Sequence, residues 1–154
     1  MADIVDAVTP DQIQTIRDLF RQYERFLQVD LCFQHFEAEL AGLPGKYAPP
    51  QGALLLALVD GKAVGCVAMR PLEKSTCEMK RLYVRPAHLG EGIGKQLALS
   101  VIDRARDAGY SRMRLDTLEK LKPALGLYDQ LGFRSCPAYY KNPLPGVVYL
   151  ELPL

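Results

Sequence analysis

The chain has 154 residues, 49% of them apolar and 24% charged, with 19 Lys and Arg against 18 Asp and Glu for a net charge of +1. That length suits one domain, so residues 1–154 are expected to form a single α/β unit, and the near-neutral charge argues against nucleic acid or an anionic membrane surface as a partner. The longest strongly apolar runs, Ala53–Val59 and Ala63–Met69, are too short to cross a bilayer, and the start lacks a basic segment leading into an apolar one, so a cytoplasmic location is expected.

In chain order, a short apolar start leads to Thr9-Pro10-Asp11-Gln12, a helix entry in which Thr9 caps, Pro10 suits the first turn and Gln12 completes a capping box. Ile13, Ile16, Leu19, Phe20, Tyr23 and Leu27 then mark one face of a first helix. A weaker pattern, Phe33, Phe36 and Leu40, predicts a second helix, and the Gly- and Pro-rich stretch Gly42–Gly52 predicts a surface loop without regular structure.

Ala53–Val59 and Ala63–Met69 flank Asp60-Gly61, which favours a type I′ turn and an antiparallel hairpin. Cys77–Val84 reads as a further strand. Ile93–Ala108 reads as a helix closed by Gly109, Ser111–Thr117 as a half-buried strand, and Leu121–Leu131 as a helix with Gly132 after its end. Strands around Phe133–Ala138 and Val147–Leu152 complete an order with one βαβ crossover in its later half, which is not doubly wound. The last strand, apolar over Val147–Leu152, is a candidate edge for pairing across a two-fold axis in a homodimer.

The cysteines Cys32, Cys66, Cys77 and Cys136 form no CxxC pair, and His35 and His88 are too few and too far apart for a histidine metal site. Reduced thiols and no metal are expected. The most informative segment runs from Leu82 to Leu97, where a strand passes through Leu89-Gly90-Glu91-Gly92-Ile93-Gly94-Lys95 into a helix. Glycines let backbone N–H groups converge, and the first helical turn adds unpaired donors and the positive end of its dipole, a cradle for a diphosphate. On these residues alone the glycines can equally serve only a tight turn. A Rossmann fingerprint needs a different glycine spacing, and a Walker A loop needs Ser or Thr where Gln96 follows Gly94-Lys95.

The segment Leu89–Gly94 resembles the acetyl-CoA signature Arg/Gln-x-x-Gly-x-Gly/Ala of the GCN5-related N-acetyltransferases, with Leu89 where that family usually has Arg or Gln. The likeness extends over Glu78–Val84, which looks like the family's fourth strand, and over Ala124–Phe133, which carries Ala-x-x-x-Tyr-x-x-x-Gly-Phe. The late segment Tyr139–Gly146 looks like that of a poorly characterised bacterial branch. The resemblance implies a GNAT-like acyl-CoA transferase fold with a central mixed, mostly antiparallel sheet of about six or seven strands flanked by about four helices.

It further implies acetyl-CoA as cosubstrate, held by Leu82, Tyr83 and Val84 on a splayed strand and by Leu89, Gly90, Glu91, Gly92, Ile93, Gly94 and Lys95 on the loop. With Leu89 in the first position, backbone amides carry more of the diphosphate binding, helped by Lys95. Tyr128 is the implied donor to the departing thiolate, and Glu78 the implied general base, each with a plain structural alternative: a core tyrosine, and a salt bridge with Lys80 or Arg81. Nothing in the sequence pairs Cys77 or Cys136 with a histidine or other base that would activate it as an acyl carrier, so direct transfer to a primary amine is expected. A small-molecule acceptor such as an amino acid is the first expectation, with Tyr23, Tyr47, Tyr139 and Tyr140 as candidates for its pocket. A protein lysine or N-terminus, and a non-catalytic acyl-CoA sensor, are the alternatives.

Overall fold

A computed structural model describes residues 2–31 and 35–154 of the chain. Strand β1 (Asp3–Asp6) leads into helix α1 (Pro10–Leu27) through the expected capping box: Gln12 N donates to Thr9 Oγ1 at 3.2 Å, and Thr9 N donates to Gln12 Oε1 at 3.1 Å. Two of the orphan donors at a helix start are thereby satisfied. Removal of the cap in Thr9→Ala is expected to destabilise the fold by about 1 kcal/mol, read as a lower urea midpoint at unchanged m-value.

Helix α2 (Phe36–Ala41) follows; of the residues that predicted it, Phe33 lies outside the described residues, as does Cys32. The loop after it is more ordered than its glycines and prolines suggest, with a single 3-10 turn at Gly45–Tyr47. Tyr47 is buried there and donates its hydroxyl to Glu39 at 2.9 Å, an anchor that outweighs the local breakers.

Strands β2 (Ala53–Val59) and β3 (Lys62–Glu73) form the hairpin, with Asp60 at φ 52° and Gly61 at φ 77°, both positive as a type I′ turn requires. Then come β4 (Thr76–Val84), helix α3 (Ile93–Asp107), β5 (Arg112–Leu118), helix α4 (Lys122–Leu131), β6 (Arg134–Ser135) and β7 (Val147–Pro153). The seven strands make one sheet in the order β1-β2-β3-β4-β5-β7-β6, antiparallel except for the parallel pair β4 and β5 joined by α3.

One face of the sheet is covered by α3 and α4, where Leu97, Val101 and Tyr128 share a core with Leu55, Val67 and Met113. The other face is covered by α1 and α2, where Phe20 and Phe36 share a core with Leu54, Leu56 and Cys66. Apolar strand residues alternate between these cores, the pattern of a sheet buried on both sides.

Two expectations need correction. The strand expected over Phe133–Ala138 keeps only Arg134 and Ser135, because Cys136 makes one last bond to Tyr149 O at 3.0 Å and Pro137 then has no N–H to continue the ladder. Strand β7 is not an edge: β5 pairs with it from Val147 to Pro153, and β6 covers Leu150 and Glu151 on its other side. Pairing of its free edge across a two-fold axis is therefore blocked over that stretch.

Candidate active site

The site begins with a defect in β4. Along the β3 ladder Cys66 pairs with Tyr83 and Ala68 with Lys80, so Arg81 and Leu82 together oppose Val67 as a bulge. Arg81 has φ 61°, a left-handed conformation that costs an ordinary residue of order 1 kcal/mol or more. It is held by a buried pair: Nε and Nη2 donate to Glu39 Oε2 and Oε1, each at 3.2 Å, with the Phe36 ring centroid 5.1 Å from the guanidinium carbon. Burial disfavours the Arg81 charge, but Glu39 and Tyr47 more than offset it and hold the guanidinium above its ordinary pKa.

Beside this bulge β4 parts from β5. These strands pair at Thr76–Arg112, Cys77–Met113 and Glu78–Arg114 and nowhere beyond, so the main chain of β4 past Glu78 is left open on that side. A cavity of about 480 Å³ occupies the split, walled by the later halves of both strands, by α1, by the start of α3 and by α4. The strand splay implied by the family likeness is thus present.

At one end of the cavity lies the glycine loop. Gly90 at φ 83° and Gly92 at φ 80° take conformations that side-chained residues avoid, and a Cβ at either would meet open space, so backbone conformation rather than crowding requires glycine. The first helical bond of α3 runs from Gln96 N to Gly92 O at 3.1 Å, so the amides of Ile93, Gly94 and Lys95 precede the helical ladder. All three residues line the cavity. This donor set fits an anionic diphosphate: convergent N–H groups, the positive end of α3, and Lys95 beside them.

Of the expected cofactor contacts, Leu82, Tyr83, Val84, Leu89, Gly90, Gly92, Ile93, Gly94 and Lys95 line the cavity, and Glu91 does not. The Glu91 carboxylate instead lies 3.1 Å from His88 Nδ1. The Leu89 side chain, 58% exposed, supplies no polar group to this end of the cavity.

The two expected catalytic residues are separated. Tyr128 is on the cavity wall, buried, with its ring 5.6 Å from Phe133, and burial pushes its hydroxyl well above the ordinary tyrosine range. Glu78 is 0% exposed and not on the wall. Its Oε1 accepts from Arg70 Nε at 2.9 Å and its Oε2 from Tyr139 at 2.7 Å, while Lys80 Nζ stands 4.0 Å from Oε1. The expected salt bridge with Lys80 is present at that distance, but buried rather than on the surface, and Arg81 pairs with Glu39 instead.

At the other end, Tyr23, Lys80 and Asp116 line the cavity with Asn142 and Leu144 from the segment before β7. Burial and then the nearby Arg81 charge push the Lys80 amine down to about 8, against the opposing pull of Glu78 and Asp116. Burial likewise pushes the Tyr23 hydroxyl up to about 12. Asp116 Oδ2 accepts from Tyr140 and, at 2.8 Å, from Asn142 Nδ2. Of the four tyrosines proposed for this pocket, Tyr23 reaches it; Tyr47, Tyr139 and Tyr140 stand behind it, holding Glu39, Glu78 and Asp116.

Lys80 and Asp116 are absent from the sequence-based site. Both carried a signal, since lysine in a strand buried on both faces needs a partner and aspartate is depleted in strand interiors. Among the described residues there is no group of three His, Cys, Asp or Glu placed to hold a metal, and no helix long and apolar enough to cross a membrane. Cys66, Cys77 and Cys136 are free thiols and none lines the cavity.

A split parallel strand pair with an anion cradle at one end and a buried tyrosine on its wall defines an acyl-CoA-type transferase. The chain belongs to the acetyltransferase (GNAT) family, whose model matches residues 13–133. An uncharacterised N-acetyltransferase of Schizosaccharomyces pombe is 43% identical over 145 residues, covering 93% of this chain and 89% of the relative. The likeness is therefore not confined to bacteria. An acetyltransferase from Streptococcus agalactiae shares the fold with a TM-score of 0.81 at 21% identity, over 99% of this chain and 98% of its own. A GNAT family acetyltransferase from Elizabethkingia anophelis with acetyl-CoA bound gives 0.59 at 27% identity, over 68% of this chain and 77% of its own.

Proposed function

We propose that this N-acetyltransferase moves the acetyl group of acetyl-CoA directly to the primary amine of a small molecule. The observation that carries the reading is the run of amides at 93–95 outside the helical ladder of α3, at the end of a cavity that enters the split between β4 and β5. Bound there, acetyl-CoA supplies an activated acetyl group and a thiolate that can leave.

The chain's part is to hold and orient. The amides of Ile93, Gly94 and Lys95 grip the diphosphate, and the open main chain of β4 after Glu78 lies along the acyl arm. The new N–C bond forms as the C–S bond breaks: an acceptor bound as ammonium first gives one proton to solvent, its nitrogen loses a second as the bond forms, and the departing thiolate takes up one. Tyr128 directs its hydroxyl at the sulfur; because burial keeps that hydroxyl protonated, it stands as a donor across the physiological range. Glu78 acts at one remove from the amine, its carboxylate 4.0 Å from the Lys80 amine on the wall. Among the described residues no cysteine lines the cavity. Walls from α1 on one side and from Asn142 and Leu144 on the other suit a small amine better than a protein chain.

Titration with acetyl-CoA tests this. A ligand that binds only the folded state at about 100 times its Kd stabilises by about 2.7 kcal/mol, so the melting temperature is expected to climb with acetyl-CoA and to stay flat with an equal concentration of pantothenate, which lacks the diphosphate. A flat response to both overturns the assignment. A climb without thiol release for any amine favours a sensor.

A further inference from the structure

Resting on the transferase reading above, the geometry points to an acceptor that carries a carboxylate close to its amine: we propose an α-amino acid, with its ammonium received by Asp116 and its carboxylate by Lys80. The first support is register. Glu78 and Arg114 are the last paired residues before β4 and β5 part, so Lys80 and Asp116, two positions further along each strand, face each other across the opening. Both line the cavity. Residues two apart share a face of a strand, and Glu78 and Arg114 show which: the Tyr139 hydroxyl bonds the first, and its ring lies 5.8 Å from the guanidinium carbon of the second. Paired strands lie about 4.8 Å apart and these have begun to diverge, so the two side chains span the distance at which an ammonium and a carboxylate on one carbon each meet a partner.

The second support is how Asp116 is held. Tyr140 and Asn142 both donate to Oδ2, and no hydrogen bond to Oδ1 is made among the described residues. The carboxylate is fixed by one oxygen and offers the other. Tyr140 and Asn142 are themselves tied, since Asn142 Nδ2 lies 3.2 Å from the Tyr140 hydroxyl and Tyr149 donates to Tyr140 O at 2.8 Å. Such bracing is what a binding carboxylate needs to keep its direction.

The third is charge balance. Around this end of the cavity Arg70, Lys80 and Arg81 are matched by Glu39, Glu78 and Asp116, two of the matches being the tight pairs Arg70–Glu78 and Arg81–Glu39. A zwitterion adds no net charge to this neutral set. A monoamine brings an uncompensated cation beside a lysine already pushed down to about 8 by burial and Arg81, and a desolvated unmatched charge is costly. Asp116 and Tyr128 both line the cavity, so an amine held by the first shares it with the group proposed to serve the sulfur.

The test is a panel of matched acceptors with the full chain and acetyl-CoA, read as thiol release: L-amino acids, their α-amides, and the amines left when the carboxylate is removed. An amino acid is expected to exceed its own amide and its decarboxylated amine in kcat/KM on the order of 100-fold, because losing one partner of a buried charge pair costs that much. Lys80→Met is expected to shrink this ratio at least tenfold, mainly through KM for the amino acid, while acetyl-CoA affinity by calorimetry stays unchanged and reports a folded protein. Amides or simple amines used as well as amino acids by the wild-type chain overturn the proposal without any variant. So does acetyl-CoA binding with no amino acid acetylated, which leaves the transferase assignment standing if another amine reacts. Failure to bind acetyl-CoA removes both.

Discussion

Tyr128→Phe is expected to lower kcat for thiol release about 100-fold or more while leaving KM for acetyl-CoA within about threefold, the pattern of a donor used as the C–S bond breaks rather than in binding. The substitution is clean because the ring's place does not depend on the hydroxyl: it packs on Phe133 at 5.6 Å within the core beneath α4. Burial raises the Tyr128 pKa far above its ordinary value, so the hydroxyl remains protonated through pH 10 and no alkaline fall in kcat is expected from its ionisation. The same elevation means a departing thiolate is a weaker base than this tyrosinate; the hydroxyl therefore stabilises the sulfur by a strong hydrogen bond, and full transfer of its proton is not required. A variant that keeps kcat and loses only acetyl-CoA affinity would make Tyr128 a packing residue and remove it from the chemistry.

What could be read from residues alone divides along a physical line. The capping box at Thr9, the Asp60-Gly61 turn and the glycine ends of α3 and α4 are set by local backbone preference, and each is found where expected. The anion cradle at 90–95 is also local, because its chemistry is main-chain chemistry at a helix start. The acceptor end is not. Lys80 and Asp116 reach one cavity beyond the last β4–β5 pair, beside a bulge whose Arg81 is held by Glu39, 42 positions away in sequence. Tyr139 and Tyr140 lie on a segment without regular structure whose position is fixed by contacts to Glu78, Asp116 and Tyr149. Glu78 illustrates the same limit: the family resemblance implied a base there, but its carboxylate is bonded by Arg70 and Tyr139 and does not line the cavity.

The dependence on Arg81 makes it the position where fold and function are most tightly joined, and Arg81→Met is expected to cost about 3–5 kcal/mol of stability, measured by chemical denaturation. Its side chain is 3% exposed and that of Glu39 13%, so the variant leaves a largely desolvated carboxylate whose remaining side-chain hydrogen bond among the described residues is from the Tyr47 hydroxyl. The positive φ of 61° remains, and the bidentate pair that held it is gone. Arg81→Lys restores the charge but not the planar fork, so it is expected to recover only part of the loss. Glu39→Gln, which removes the negative partner instead, is expected to be similarly damaging because the guanidinium is then the unmatched ion. If the bulge is what opens the strands, acetyl-CoA affinity of any folded Arg81 variant should fall along with its stability. Were Arg81→Met as stable as the wild type, the left-handed turn in β4 would have to be held by its neighbours in the β3 ladder, and the coupling of α2 to the cavity through Glu39 would be lost from the account.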